Sequence, residues 1–355
     1  MKAKVFFIPS AGKADDAAAC GALRKLIAAE SLLGFIAEKD MVAVKTHFGE
    51  GKKTGHVPPL YLKMLGELVR EMKGSPFLTE TQTLYKGNRT DAVSHLNHAQ
   101  AQGYGYERTG MPIIMADGLY GDEEVEVPVP GKIYSSVKLA SGIVKASSLV
   151  MVSHFTGHLA TGFGCALKNM GMGCSSRRGK MIQHSTAKPR IKAKACTKCG
   201  LCVRWCPAGA ITMEEKSAVI NSAKCIGCGQ CLAVCRFDAV AYNWGATYED
   251  LQKKVVEHAW GVARGKENKM VCVNFLTRIS KDCDCMDVFE QIVPDIGIVV
   301  SRDPVAADAA SLALVEQRAG KKLSDVAYEI PYRFQIDYAR EIGFGNPDYE
   351  LMTVD

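Results

Sequence analysis

The chain has 355 residues, 47% hydrophobic and 23% charged, an ordinary soluble composition with room for two or three domains. Lys and Arg outnumber Asp and Glu 44 to 38, a formal charge of +6. No apolar stretch approaches the ~20 residues that cross a bilayer. The apolar run near the N-terminus, Val5 to Ile8, is too short for a signal-peptide core. With 14 cysteines and nothing that looks secreted, a reducing, cytoplasmic setting is expected.

Lys4 to Pro9 reads as a buried strand, and Ala14 to Ile36 carries a helical repeat through Leu23, Leu26, Ile27 and Leu33. Met41 to Thr46 is a second strand, followed by a loop, His47 to Lys52, rich in glycine and ionisable groups. Pro58 to Met72 reads as helix, Pro76 to Thr79 as strand, Arg89 to Gln102 as helix and Ile113 to Met115 as strand. Glu124 to Val129 alternates like an edge or hairpin strand, and Ser148 to Val152 is another buried strand. Beyond residue 243 the pattern resumes with helix Tyr248 to Val262, strands Met270 to Phe275 and Ile296 to Ser301, and helix Val305 to Arg318. Asp303 is the expected N-cap of that last helix, with Pro304 at its first position. Strands alternating with helices indicate an α/β domain with a mainly parallel sheet, and such sheets place ligands at the C-terminal ends of their strands.

Between these halves lie two runs of Cys-x-x-Cys-x-x-Cys-x-x-x-Cys. They are Cys196, Cys199, Cys202, Cys206 and Cys225, Cys228, Cys231, Cys235, offset by 29 residues. A cubane 4Fe–4S cluster needs four thiolates, and three cysteines two residues apart wrap one cluster in a short turn, leaving the fourth to come from elsewhere. Zinc also uses Cys-x-x-Cys pairs, but eight cysteines in two register-matched runs argue against it. The segment from about Ala193 to Tyr242 resembles the bacterial dicluster ferredoxins. In those proteins the last cysteine of each run ligates the other cluster. The resemblance therefore implies one cluster on Cys196, Cys199, Cys202 and Cys235 and a second on Cys225, Cys228, Cys231 and Cys206. One departure is Arg236, which stands where Pro207 stands in the first run and is expected to put a positive charge near a cluster. The expected organisation is an α/β domain, residues 1–188 and 244–355, carrying an inserted α+β dicluster ferredoxin-like domain at 189–243.

Two oxidised clusters, each about −2 with its thiolates, lower the charge from +6 to about +2, which removes most of the case for nucleic-acid binding. The remaining basic groups, Arg177-Arg178-Gly179-Lys180 and Lys188 to Lys198, read as a solvated face or as a docking patch for an acidic partner or anionic substrate. His154 and His158, four apart, would share one face of a helix and form usable metal ligands, or serve separately as structural or anion-binding groups. His47 follows another strand in an equivalent loop. Cys283-Asp284-Cys285 presents two thiols on one side of an extended segment, as a metal site, a redox pair or two unreactive buried thiols. Gly171 to Lys180 fails as a nucleotide loop, because Cys174 and Met181 occupy the positions of its first glycine and its Ser or Thr. An anion site at Lys168 or Lys180 stays open.

Six motifs flank these features: KTHFGE (Lys45–Glu50), ADGLYGDE (Ala116–Glu123), SHFTGH (Ser153–His158), ALKNMGMGCSSRRGK (Ala166–Lys180), CDC (Cys283–Cys285) and SRDPVAAD (Ser301–Asp308). Together they resemble domain-of-unknown-function family 362 in its ferredoxin-fused form, over nearly the whole chain. That resemblance implies an architecture but no reaction.

The expected function is iron–sulfur electron transfer, in an oxidoreductase that passes low-potential electrons from two 4Fe–4S clusters to a substrate or cofactor in the α/β domain. The candidate catalytic residues are His47, Glu50, His154, His158, Lys168, Cys283 and Cys285, with histidine or lysine supplying the proton. A ferredoxin-type carrier with a non-catalytic scaffold stays open, as does a metal- or cofactor-handling protein. No motif decides whether a flavin or a mononuclear metal joins the clusters. A redox protein partner and a small-molecule substrate are expected; nucleic acid and membrane are not, and the oligomeric state is not legible.

Overall fold

The computed structural model describes residues 2–10, 15–51, 55–85, 87–184, 188–225, 227–242 and 245–354. Ala14 and Lys52, included in the expected first helix and first loop, lie outside the described residues. Eight strands form one sheet: β1 (Ala3–Pro9), β2 (Met41–Lys45), β3 (Ser75–Glu80), β4 (Ile113–Met115), β5 (Ser148–His154), β6 (Met270–Leu276), β7 (Gly297–Ser301) and β8 (Tyr349–Thr353). Their order is β8-β1-β7-β6-β5-β2-β3-β4. Strands β4, β3, β2, β5 and β6 are parallel to one another, β7 runs against both β6 and β1, and β8 is parallel to β1. The α/β, mainly parallel expectation therefore holds with one reversed strand, which makes the sheet mixed.

Alternating side chains leave opposite faces of a strand, and both faces here are covered. Val5, Ala43, Phe77, Leu149, Met151, Cys272 and Val299 enter one apolar layer. Phe6, Val42, Val44, Leu78, Val150, Val152, Val273 and Val300 enter the other. The second layer is closed by helices α1 (Asp16–Ala29) and α2 (Pro59–Glu71), through Leu23, Leu26, Ile27, Leu62, Leu65 and Val69. Against the first layer pack α4 (Ala166–Gly171), α6 (Tyr248–Ala263) and α7 (Pro304–Ala319). Each fully buried Val, Leu or Met contributes roughly 1.5–3 kcal/mol, so strand β5, buried along its whole length, is a major anchor. A Cβ on Gly171 would lie 2.0 Å from the Val255 carbonyl oxygen, so only glycine lets α4 lie this close to α6.

Local signals set the helix ends. Asp303 caps α7, its carboxylate accepting from the Val305 and Ala306 amides at 2.8 and 3.1 Å. The first helix stops at Ala29 rather than Ile36, although Leu33 and Ile36 stay buried. The third, α3 (Ala92–Ala101), begins after its cap Asp91, so Arg89 is not helical. Glu124–Pro128 pairs with Ser136–Ala140 as a hairpin. Residues between Arg190 and Ala241 form two small two-stranded sheets, Arg190–Ile191 with Val240–Ala241 and Ile211–Met213 with Ala218–Ile220. Among the described residues, no helix is long and apolar enough to cross a membrane.

Candidate functional site

The 29-residue repeat is visible in the backbone. Lys198 and Gly227, Gly200 and Gly229, and Gly209 and Asp238 all take left-handed conformations, each pair offset by that repeat. Gly200 and Gly229 each start a short helix, Leu201–Arg204 and Gln230–Val234. The cysteines converge in crossed sets. A small hollow is lined by Cys206, Cys225, Cys228 and Cys231, with Pro189, Ile211 and Ile220. Another is lined by Cys196, Cys199, Cys202 and Cys235, with Ile191, Leu201 and Phe237. Backbone amides point at the sulfurs: Ala210 donates to Cys206 at 3.2 Å, Gly227 to Cys225 at 3.4 Å and Ala218 to Cys196 at 3.5 Å. Burial and then the neighbouring thiols push the Cys231 thiol up to about 12. Four soft donors around an apolar hollow, each set drawn from both runs, fit a polynuclear cluster better than a single ion.

The cysteine segment docks on α5 (Arg177–His184) and on the loop beyond β4. Arg177 donates to the Ala233 carbonyl at 2.9 Å, and Arg178 to Gln230 Oε1 at 2.6 Å. Gln230 in turn donates to Asp122 at 3.1 Å. The Met181 thioether lies against Gly229, between Cys228 and Cys231, and joins Leu84 in the segment's apolar cluster. Arg236 stacks on the Tyr120 ring at 4.8 Å and bonds its hydroxyl, so the residue in place of proline clamps the segment to the body. The basic run at Arg177 to Lys180 is not a solvated face: Arg177 is buried against the segment and Lys180 within the body.

Next to this contact, the C-terminal ends of the parallel strands gather buried charge. Lys45, at the end of β2, is fully buried and pairs with Glu80, at the end of β3, at 2.7 Å. Its ammonium also donates to Asn169 of α4 at 2.7 Å. Arg89 bridges two expected residues, donating to Glu50 at 2.9 Å and facing His47 Nε2 at 2.9 Å, with Glu80 at 3.8 Å. Lys180 donates to Thr81 and to the Gln82 carbonyl, and its attraction to Asp117 opposes the burial that drives both groups toward neutrality. Burial first, then Arg89, Lys45 and Lys168, hold His47 well below the usual imidazole range.

Lys168 is the hub of the mouth. Burial lowers its ammonium to about 8, opposed by Asp284 and Glu80. It helps keep His47, His158 and His184 neutral. His158 Nδ1 accepts from the Ala160 and Thr161 amides at 3.1 and 3.0 Å, which leaves Nε2 as the protonated nitrogen. His154 and His158 do not share a helix face. His154 ends β5 and His158 ends the short strand Thr156–His158, and they serve separate partners. His154 Nδ1 faces Asp284 Oδ2 at 2.8 Å and Nε2 faces the Thr277 carbonyl at 2.8 Å, so both ring nitrogens stand against acceptors. Cys283 and Cys285, on either side of Asp284, are joined in a disulfide rather than held as free metal ligands. Among the described residues, no group of three or more His, Cys, Asp or Glu converges on a single metal ion.

Sequence reasoning misses Lys45, Glu80, Arg89, Asn169 and Asp284 as site residues. A signal for two of them is present, since Lys45 and Glu80 close otherwise apolar strands, where a lone charge needs a partner. A family model described as a domain of unknown function, DUF362, matches residues 42–313, from β2 into α7. The chain belongs to this family. The DUF362 match spans the cysteine segment as well as the mouth of the sheet. Shorter stretches match curated proteins. A putative oxidoreductase of Escherichia coli, AegA, is 29% identical over 93 residues, 26% of this chain and 14% of that protein. A selenate reductase subunit of Mesobacillus selenatarsenatis is 31% identical over 75 residues, 19% of this chain and 26% of that protein. A component of an ion-translocating oxidoreductase complex of Methanosarcina acetivorans is 44% identical over 45 residues, 13% of this chain and 17% of that protein. The chain thus spans about a quarter or less of the length of these relatives. Among solved structures, lactate racemase apoprotein from Thermoanaerobacterium thermosaccharolyticum aligns with 78% of this chain and 51% of its own, at TM-score 0.39 and 9% identity. A Thermotoga maritima protein aligns with 88% of this chain and 60% of its own, at TM-score 0.44 and 10% identity. Likenesses at that level say nothing about chemistry.

Proposed function

We propose that this DUF362 protein is an iron–sulfur electron-transfer protein with an oxidoreductase site at the mouth of its sheet. Residues 189–243 act as an inserted dicluster module, with one 4Fe–4S cluster on Cys196, Cys199, Cys202 and Cys235 and the other on Cys206, Cys225, Cys228 and Cys231. The observation that carries this reading is the pair of cavities, each lined by three cysteines of one run and the last of the other. The relatives named as oxidoreductases or reductase subunits agree with it. Bound there, the clusters supply electrons one at a time. The chain's own groups do the rest. The amides of Ala210, Ala218 and Gly227 stabilise thiolate charge, and Met181 with Leu84 keeps the contact with the body dry. Lys168, whose ammonium burial lowers to about 8, is the proton donor at the mouth, and the His154–Asp284 contact lies beside it.

The two clusters take different roles. The Cys225 set faces the body across Met181, whereas on the other set Cys199 is exposed beside the exposed Phe237. We place the docking of a redox protein partner at the latter. The test is electron paramagnetic resonance of the reduced protein and its variants. Cys206→Ser should alter the signal of the cluster shared with Cys225, Cys228 and Cys231, and Cys235→Ser that of the other. An unchanged spectrum in both variants overturns the crossed assignment, and no signal in the intact protein overturns the reading.

A further inference from the structure

The Cys283–Cys285 disulfide sits at the rim of the mouth, in the turn of a hairpin whose arms are Ile279–Ser280 and Gln291–Val293. A disulfide stabilises mainly by removing loop entropy from the unfolded chain, and the effect grows with loop length. Two cysteines with one residue between them close the shortest of loops, where that gain is smallest. Nor is the bond needed to fix the turn. Lys281 donates to the Glu290 carbonyl at 2.9 Å, Met286 to the Cys283 carbonyl at 3.0 Å, and Asp282 is held by the Tyr328 hydroxyl. The strand Thr156–His158 packs so tightly beneath that a Cβ on Gly157 would lie 2.3 Å from the Lys281 carbonyl. A bond with so little structural value, in a place held by other means, calls for a chemical role.

Its surroundings suit exchange chemistry. Cys283 is buried and Cys285 half-buried, so one sulfur is open to an incoming group and the other is shielded. Asp284 between them holds His154, whose two ring nitrogens both face acceptors, and Lys168 lies within its field. Ionisable side chains therefore gather around the residue that separates the two cysteines.

We propose that Cys283 and Cys285 are a redox-active pair that exchanges with a disulfide substrate through Cys285. Reduction of the Cys283–Cys285 bond takes up two electrons and two protons and yields two thiols. The Cys285 thiolate then attacks one sulfur of the substrate disulfide, forming a mixed disulfide and releasing one substrate thiol. The Cys283 thiolate attacks the Cys285 sulfur, re-forms the intramolecular bond and releases the second. The substrate gains the two electrons and two protons that the pair loses. Two clusters held by the eight cysteines would supply one electron each, the number one cycle needs. This last link rests on the electron-transfer reading above; the exchange itself does not.

The experiment equilibrates the full-length, anaerobically purified protein in dithiothreitol buffers of graded redox ratio, quenches with iodoacetamide and maps the peptides by mass spectrometry. The 283–285 peptide should pass from disulfide to doubly alkylated. Cys165, Cys174 and Cys272, whose thiols burial pushes far up, should stay unmodified and serve as internal controls. Cys283→Ser should trap a mixed disulfide at residue 285 with oxidised glutathione or a cyclic peptide disulfide, at least tenfold faster than Cys285→Ser traps one at residue 283. A pair that stays oxidised at every ratio, or equal trapping by the two variants, overturns the proposal. A second arm photoreduces the protein without dithiol and compares it with Cys225→Ser/Cys228→Ser. Alkylation gained only with intact cysteines supports delivery from the clusters. Exchange without that gain overturns the link to the clusters and leaves the pair standing. If both glutathione and peptide are trapped, the faster one identifies the substrate class.

Discussion

The body and the cysteine segment bury very different amounts of apolar surface. The body covers both faces of an eight-stranded sheet with helices and fills two continuous layers of Val, Leu, Ile, Met and Phe. Among the described residues, the segment contributes Ile211, Ala218, Cys231, Leu232 and Val240 to the centre of its own cluster and borrows Leu84 and Met181 from the body. A unit of roughly 50 residues seldom supplies enough core by itself. The body is therefore stabilised by burial, and the segment by whatever its cysteines bind and by its clamps to Arg177, Arg178 and Tyr120.

The largest expected effect separates the two regions most sharply. Stripping metal with a chelator under reducing conditions should abolish hydrogen-exchange protection between residues 190 and 241 and leave strands β2, β5 and β6 protected; uniform loss across the chain would contradict the comparison. Within the body, the most damaging single change should be at the buried pair. Lys45→Met strands Glu80 in a dry site and should cost about 3–5 kcal/mol in denaturant unfolding. A cost below about 1 kcal/mol would mean that Arg89 alone neutralises Glu80.

Asp308 offers a pH test. It is fully buried, accepts from the Ala166 and Leu167 amides at 2.8 Å each and from Asn274 at 2.9 Å, and burial raises its carboxyl to about 6. The folded state then binds the proton more tightly than the unfolded state. Stability should fall by about 3 kcal/mol as pH rises from about 4 to about 6. Asp308→Asn should remove that slope while losing one of the amide bonds. A slope unchanged in the variant places its origin elsewhere.

The smallest effect has the opposite sign. Lys168 keeps a charge that burial disfavours, so its contribution should improve as pH rises from about 8 toward 10.5, where only the unfolded state still holds the proton. Lys168→Met should stabilise the protein at pH 7 by about 1–2 kcal/mol while removing the ammonium from the mouth. Destabilisation would show instead that the ammonium binds a partner in the fold.

Much of this arrangement is legible in the sequence. Continuous apolar runs such as Ser148–Val152 mark strands covered on both faces, and Asp303-Pro304 marks a helix start, because both signals are local. The reversal of β7 is hidden, since a strand covered on both faces reads the same in either direction. Arg89 reads as the start of a helix because nothing near it in sequence reveals Glu50 or His47 as partners. Arg177 and Lys180 read as surface because their charge suggests water. Arg177 is covered by a segment some 50 residues downstream, and Lys180 turns inward to Thr81 and the Gln82 carbonyl. Spacing alone pairs His154 with His158, whereas the strand between them separates their partners. The cysteine spacing is a local signal too, and the structure gathers three cysteines of each run with the last of the other.

The measurement that bears most directly on the central claim is iron, acid-labile sulfide, zinc and flavin analysis of the anaerobically purified full-length protein. About eight iron and eight sulfide per chain are expected. Zinc in stoichiometric amount without sulfide, or a metal-free protein whose 190–241 segment remains fully protected, would contradict it.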